Sequence, residues 1–405
     1  MVSVINSGLL REQALSLIDF ARGSILPSGG FGYLDSSGQV DPTKPRQAYI
    51  QSRMIQVFGL AHLLGFAESK ELVDHGVNSL LDQFLDQEHG GFHNAINLDG
   101  SPIRADKLAY DQVFVLLAAT TAKAVGAPRS DELFNLVDSV IDRYFWEDEY
   151  QMMRNSWNYE MTHPDPYRGI NANMHAVEAF SAAYDLTGDP KFRDRAYAIC
   201  HRTVVDFAKN NNWMLPEHFN EKWETDLNFN IDQPADPFRP YGVTIGHLFE
   251  WSRLILQLQL TMAGTNYDLS WITPGAIGLY ETAKKLGWAA DGTPGFVYTV
   301  DWSGKPVVRS RMHWVAAEAV MTAFTLWHFI GETEFLQDYE NWWRYIEDHL
   351  IDKQYGSWFH ELDPAQNVVA GTWSGKPDIY HAFNACLLPL YPMTSSFVNI
   401  AATGQ

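Results

Sequence analysis

The feature that most constrains the fold is a repeat of helix pairs punctuated by glycine. Apolar helical segments open near Arg53, Tyr110, His175, His247, Trp314 and His381, 57 to 72 residues apart. Five of them reach a glycine 12 to 17 residues later, at Gly65, Gly126, Gly188, Gly264 and Gly331, where a left-handed residue ends a helix without steric cost. The sixth runs on into the C-terminal tail. Each glycine is followed by an amphipathic segment, such as Glu68 to Phe84, Asp131 to Tyr144, Lys191 to Lys209 or Glu334 to Leu350. One member of each pair is nearly all apolar and the other half polar, the difference between an inner wall and an outer ring. Leu9 to Ala21, stopping at Arg22-Gly23, supplies the outer helix that completes six pairs. Units that cannot bury their own apolar faces stack on one another, and a curved stack can close. The pattern predicts an all-α fold: one (α/α)6 barrel over residues 1–405, with no linker or charge run dividing it.

A second repeat punctuates the first. Gly29 to Val40 reads as aromatic strand, Asp/Gly turn and return strand. The same grammar recurs where Gly90-Gly91-Phe92-His93 runs to Asp99-Gly100, where Gly295 to Tyr298 runs to Asp301-Trp302-Ser303-Gly304, and where Gly356 to Phe359 runs to Asp363-Pro364. Four short β-hairpin loops are expected at the barrel mouth. Because all inner helices of such a barrel run the same way, their openings gather Arg53, Tyr110, His175, His247, Trp314 and His381 on one rim.

Composition narrows the function. The net charge is −20, which disfavours nucleic acid and anionic membrane as partners. Cys200 and Cys386 both fall in apolar helical segments and predict buried thiols rather than a disulfide framework. Met1 to Arg11 lacks a basic segment followed by an apolar run, and no apolar stretch reaches about 18 residues. A cytoplasmic, unanchored protein is expected. The 14 Trp, 18 Tyr and 23 Phe supply core first, and secondarily the aromatic faces that line sugar sites.

The richest local signal is Asn171 to Phe180, in which Asn171, His175 and Glu178 make one polar stripe on an otherwise apolar helix. His247 and Glu250 repeat the grammar. A lone helical histidine is usually a satisfied core group, but His175, His247 and His381 occupy matching repeat positions. The order His-x-x-Glu differs from the Glu-x-x-His of dimetal bundles, and no Cys/His cluster is present, so no metal is expected. Phosphate-binding glycine loops and a Gly-x-Ser-x-Gly elbow are absent too. A glycoside hydrolase would need paired carboxylates, and Glu178, Glu250 and Glu318 lie one turn into their helices, where they suit an orienting or sugar-binding role better. Histidines backed by carboxylates suit proton transfer near neutral pH. In an aldose–ketose interconversion the developing oxyanion would need donors, for which Arg53, Arg239 and Asn171 are candidates.

Several motifs together carry a resemblance. They are Arg53-Met54-Ile55, Arg168 to Phe180, Pro216-Glu217-His218-Phe219, Phe238 to Gly242, Gly246 to Trp251, Val297 to Trp302 and Lys376 to His381. In order and nearly end to end, they resemble the N-acylglucosamine 2-epimerase superfamily, and most of all its bacterial aldose–ketose isomerases acting on D-mannose or sulfoquinovose. The resemblance implies an (α/α)6 barrel and isomerisation of D-mannose and D-fructose through a cis-enediol without a cofactor. It further implies that His381 shuttles a proton between C1 and C2, that His247 helps open the ring and serves the opposite face, and that Glu250 assists His247. Arg53, Asn171, His175 and Arg239 would contact sugar oxygens, with Tyr110 and Trp314 bounding the pocket. Gln56 and Tyr49 stand where the sulfoquinovose branch would carry His and Trp. The alternatives are a mannose 2-epimerase, a sulfoquinovose isomerase, a glycoside hydrolase and a non-catalytic sugar-binding protein. The expected partner is a monosaccharide, bound by a monomer or small homo-oligomer.

Overall fold

In the computed structural model, which describes residues 7–403, the six apolar segments become helices α2 (Ala48–Leu63), α4 (Ala109–Val125), α6 (Ile170–Thr187), α8 (Ile245–Thr261), α10 (His313–Ile330) and α12 (Tyr380–Leu387). They are buried on nearly every face, because one side meets an outer helix and the other meets the barrel interior. The outer helices are α1 (Ser7–Ala21), α3 (Lys70–Ser79), α5 (Ser130–Val140), α7 (Pro190–His201), α9 (Ile272–Gly287) and α11 (Thr333–Tyr345). Each buries a single stripe, such as Leu133, Phe134, Val137 and Val140 on α5, which is the helical period of a one-sided core. The ring closes where α12 packs on both α10 and α2, with α1 behind α12. This is the (α/α)6 barrel. A last helix, α13 (Phe397–Thr403), lies against α2, α4 and α6. The chain leading to it is held at the carboxyl ends of the inner helices by Ser395 and Ser396, which donate to Asp185, and by Gln257, which donates to the Thr394 carbonyl. No helix among the described residues is long and apolar enough to cross a membrane.

Helix starts differ from the sequence expectation in an informative way. Tyr110, Trp314 and His381 are the second residues of their helices and His247 the third, whereas Arg53 and His175 are the sixth. Arg53 and His175 therefore stand more than a turn below the rim. Gly126, Gly188 and Gly331 cap their helices in the left-handed conformation as expected.

The mouth carries six hairpin bridges where the sequence pattern pointed to four: Leu34 with Val40, Ile96 with Pro102, Trp157 with Pro164, Phe219 with Thr225, Val300 with Pro306 and Leu362 with Val368. The third and fourth lack the Gly-aromatic lead and turn instead on asparagine side chains. Asn158 Oδ1 accepts from the Thr162 amide at 2.8 Å and Asn220 Oδ1 from the Lys222 amide at 2.9 Å, so the turn signal lies in side-chain hydrogen bonding. Five of these hairpins also pair with the two residues that lead into an inner helix, as Arg46-Gln47 does with Ala95-Ile96. That pairing fixes where each helix enters the rim. Buried cations at the entrances reinforce it: Lys107 bonds Asp86 at 2.6 Å, Arg168 bonds Glu147 at 2.7 Å and Lys376 bonds Asp352 at 2.5 Å. Removing one partner of such a pair would leave an uncompensated buried charge.

Candidate active site

The amino-terminal ends of the inner helices surround an open-mouthed cavity lined by histidine, carboxyl and aromatic side chains. On one wall stand two histidines. His247 directs Nδ1 to Glu217 Oε1 at 2.9 Å, and His381 directs Nδ1 to Glu318 Oε1 at 2.9 Å. A carboxylate accepting at Nδ1 fixes the tautomer with its proton there and leaves Nε2 as a lone-pair acceptor toward the cavity. Burial, foremost, holds the His381 imidazole well below its usual pKa, so it is a neutral base. The Trp314 ring sits between the two imidazoles, 5.3 Å from His247 and 5.8 Å from His381. It fits there because position 246 is glycine: a Cβ would come within 2.2 Å of the indole.

Behind His381 the polar network continues inward. The second oxygen of Glu318 accepts from Arg253 Nε at 3.1 Å and Nη2 at 2.9 Å. The other inward carboxyl, Glu250, is 1% exposed and neither of its oxygens has a protein hydrogen-bond partner among the described residues. Burial, then the nearby Glu318 charge, raises its pKa well above the carboxylate range. Such a group is a hydrogen-bond donor in waiting for a ligand oxygen.

The opposite wall is built on Arg53. Its guanidinium bonds Asp378 at 3.2 Å and Tyr110 at 2.9 Å and lies over the rings of Tyr49, Phe114 and Tyr380. Burial acts to raise the Asp378 carboxyl, and Arg53 leads the neighbouring groups that together outweigh it, holding the group ionised. His175 is pushed down to about 4 by burial and is neutral. Asn171 lines the cavity and its side chain makes no protein hydrogen bond among the described residues. His313 and His360 stack at 3.8 Å beside His381, and burial lowers His360 to about 3. His175, Glu178 and Glu250 place one ligand atom each within 4.8 Å of one another, which is wide enough to hold a divalent cation. Arg53 and Arg253 already bring positive charge to that spot.

The N-acylglucosamine 2-epimerase (GlcNAc 2-epimerase) family model matches residues 29–385. The chain belongs to this family. It is 42% identical over 395 residues to the D-mannose isomerase of Thermobifida fusca, covering 97% of this chain and 96% of that protein. It is 40% identical over 388 residues to the D-mannose isomerase of Pseudomonas cannabina pv. alisalensis, covering 95% and 93%. A crystal structure of D-mannose isomerase superposes with a TM-score of 0.88 at 26% identity, covering 96% of this chain and 99% of that one.

Of the residues singled out from sequence, the cavity of this family member brings together Arg53, Tyr110, Asn171, His175, His247, Glu250, Trp314 and His381. Two expectations are corrected. The carboxylate that holds His247 is Glu217, not Glu250, which points to His175 and Arg253 at 3.7 and 3.8 Å; one turn along α8 carries Glu250 inward, away from the His247 Nδ1 side. Arg239 does not line the cavity. Its guanidinium lies 4.2 Å from the Tyr167 ring centroid, where Asp236 Oδ1 accepts from the Arg239 amide and turns the chain. Glu217, Asp378, His313, His360, Phe238 and Trp373 received no role from sequence. Glu217, Phe238 and Asp378 lie inside motifs that marked the family; the others carry no periodic signal, and only the closed ring shows them to be neighbours.

Proposed function

We propose that this family member is an aldose–ketose isomerase that interconverts D-mannose and D-fructose, with His381 as the base acting at C1 and C2. The observation that carries the reading is the pair of His–Glu dyads on either side of Trp314, each with Nε2 free toward one cavity. His381 takes the proton from C2 of the open-chain aldose. The C–H electron pair forms the C1–C2 double bond, and the carbonyl oxygen O1 takes a proton from His247, which must enter this step as the imidazolium, with a proton on Nε2 as well as on the Nδ1 held by Glu217, giving the enediol. In the second half the O2 hydroxyl returns its proton to His247, the C2 carbonyl forms, and His381 delivers its proton to C1. Arg53 and Asn171 supply donors to the oxygens on which charge develops, in a site already dry enough to strengthen them. Neutral His381 is the state this route needs in its base, and the neutral acid Glu250 can donate a hydrogen bond to a sugar oxygen.

The lining also speaks to substrate charge. Arg53 is its one permanently charged cation among the described residues, and Asp378 and Tyr110 already engage it. A sulfonated or phosphorylated sugar would find no free cation, so a neutral hexose fits best. Of the carboxylates a hydrolase could use, Glu178 and Glu318 do not line the cavity, and Asp378, which does, is tied to Arg53 at 3.2 Å, which leaves Glu250 without a free carboxylate partner of the kind that chemistry requires. Mannose 2-epimerisation remains compatible with two histidines that reach the sugar from different sides, and product analysis separates it. Purified protein incubated with a panel of mannose, fructose, glucose, cellobiose and sulfoquinovose tests the reading. Fructose from mannose is expected; glucose as the first product, or turnover confined to another sugar, would overturn it.

A further inference from the structure

At the mouth, the wall that starts at His175 continues outward as an aromatic chain. Tyr110 lies 5.3 Å from His175 and 5.6 Å from Phe238, Tyr49 lies 5.9 Å from Phe238, and Phe238 meets Trp373 edge to face at 5.4 Å and 86°. Phe238 is 36% exposed, so the Phe238–Trp373 contact stands where the cavity meets solvent. The two rings come from loops 135 residues apart in sequence, and both loops are pinned. Phe238 stands between Pro237 and Pro240. Asp236 Oδ1 accepts from its amide at 2.9 Å, His218 Nε2 donates to the Pro240 carbonyl at 2.8 Å, and Asn230 donates to the Arg239 carbonyl at 2.7 Å. On the other side the buried Glu361 carboxylate accepts from the amides of Thr372 at 2.7 Å and Trp373 at 2.9 Å, and a Cβ at Gly371 would come within 2.7 Å of the same carboxylate. Tyr33 donates to the Ser374 carbonyl, and Lys376 donates its amide to Leu34. Restraints this dense make a fixed bar rather than a swinging lid.

Resting on the sugar-isomerase reading above, we propose that the Phe238–Trp373 bar is a length selector. It admits a free hexose and rejects a hexose that carries a second sugar on the side away from the histidines. A monosaccharide ends beneath the bar, whereas the glycosidic extension of a disaccharide would have to pass through the ring contact. Trp373 has a second role in binding. The residue lines the cavity, and its buried indole N–H has no protein acceptor among the described residues, which leaves it to donate to a sugar hydroxyl.

The test compares D-mannose with β-1,4-mannobiose and α-1,6-mannobiose, whose reducing ends are the same sugar, in wild type, Phe238→Ala, Trp373→Ala, the double variant and Trp373→Phe. Wild type is expected to favour mannose over either mannobiose by at least about 100-fold in kcat/KM, and truncation of the bar to narrow that ratio by about tenfold or more. Trp373→Phe should keep the exclusion while raising KM for mannose, a split that a purely structural tryptophan would not produce. Phe238 is partly exposed, so Phe238→Ala carries the test if the tryptophan variants do not fold. Wild-type turnover of a mannobiose within tenfold of mannose, or an unchanged ratio in folded Phe238→Ala, would overturn the proposal. Absence of mannose turnover by wild type would instead overturn the isomerase reading on which it rests.

Discussion

Glu318→Gln discriminates the proposed role of His381 from a passive one. Arg253 has only donors to offer, and it binds Glu318 Oε2 through Nε and Nη2. A glutamine at 318 must therefore turn its oxygen to Arg253 and its NH2 to His381 Nδ1. His381 Nδ1 then has to accept, which moves the imidazole proton to Nε2 and removes the lone pair that takes the C2 proton. Loss of a general base costs about 10²–10⁴ in rate, or about 3–5.5 kcal/mol at about 1.4 kcal/mol per decade. Because Glu318 does not line the cavity, the loss belongs in kcat, with KM for mannose changed by less than about threefold. Arg253 keeps Gln257 Oε1 at 2.9 Å and the amide oxygen, so the fold should survive with a loss of about 1–3 kcal/mol. Initial rates of fructose formation, with a thermal melt as the folding control, give the answer. A folded Glu318→Gln enzyme within tenfold of wild-type kcat would show that His381 does not work through Nε2 as described.

Glu217→Gln is the matched control. Glu217 makes one side-chain hydrogen bond, so its amide is free to present oxygen to His247 and keep the tautomer. Losing only the charge on that bond costs about 1–1.5 kcal/mol, and kcat measured on mannose should fall about tenfold, far less than for Glu318→Gln. Gly246→Ala places a methyl 2.2 Å from the Trp314 ring; moving the ring that separates the two histidines should lower kcat/KM at least about tenfold, with a destabilisation of about 1–3 kcal/mol in denaturant titration. Acid should unfold the protein early. His175 falls to about 4 and His360 to about 3 in the native state, against an unfolded value near 6.5. As pH drops below about 6.5 the unfolded chain takes up protons that the native state refuses, so stability is lost progressively toward pH 4, by about 3 kcal/mol for His175 alone. A melting temperature flat between pH 6.5 and 4 would contradict neutral buried histidines.

Which parts of this molecule could be read from its residues follows from what is local. The inner and outer helices are written in periodicity, and Gly126, Gly188 and Gly331 mark stops that the backbone needs. Six helix pairs imply a ring, and the ring implies that His175, His247 and His381 meet. Depth was not legible: Arg53 and His175 are a turn lower than their neighbours because α2 and α6 begin earlier, at Ala48 and Ile170. Partnerships were not legible either. Glu250 lies three residues from His247 in sequence, yet the partner is Glu217, which stands immediately before the hairpin strand His218–Phe219. Helical proximity suggests i, i+3 pairs, but a side chain at a barrel mouth can find its partner across a loop. Arg239 illustrates the same point in reverse, drawn to the Tyr167 face by a turn that no spacing rule records.

The most direct test of the central claim is a proton NMR time course on D-mannose in deuterated water with excess chelator, using wild type and His381→Ala. The account predicts fructose as the early product of wild type, without glucose and undiminished by the chelator, and a loss of turnover in His381→Ala by at least about 10². Abundant early glucose, activity lost to the chelator, or a His381→Ala enzyme as fast as wild type would contradict it.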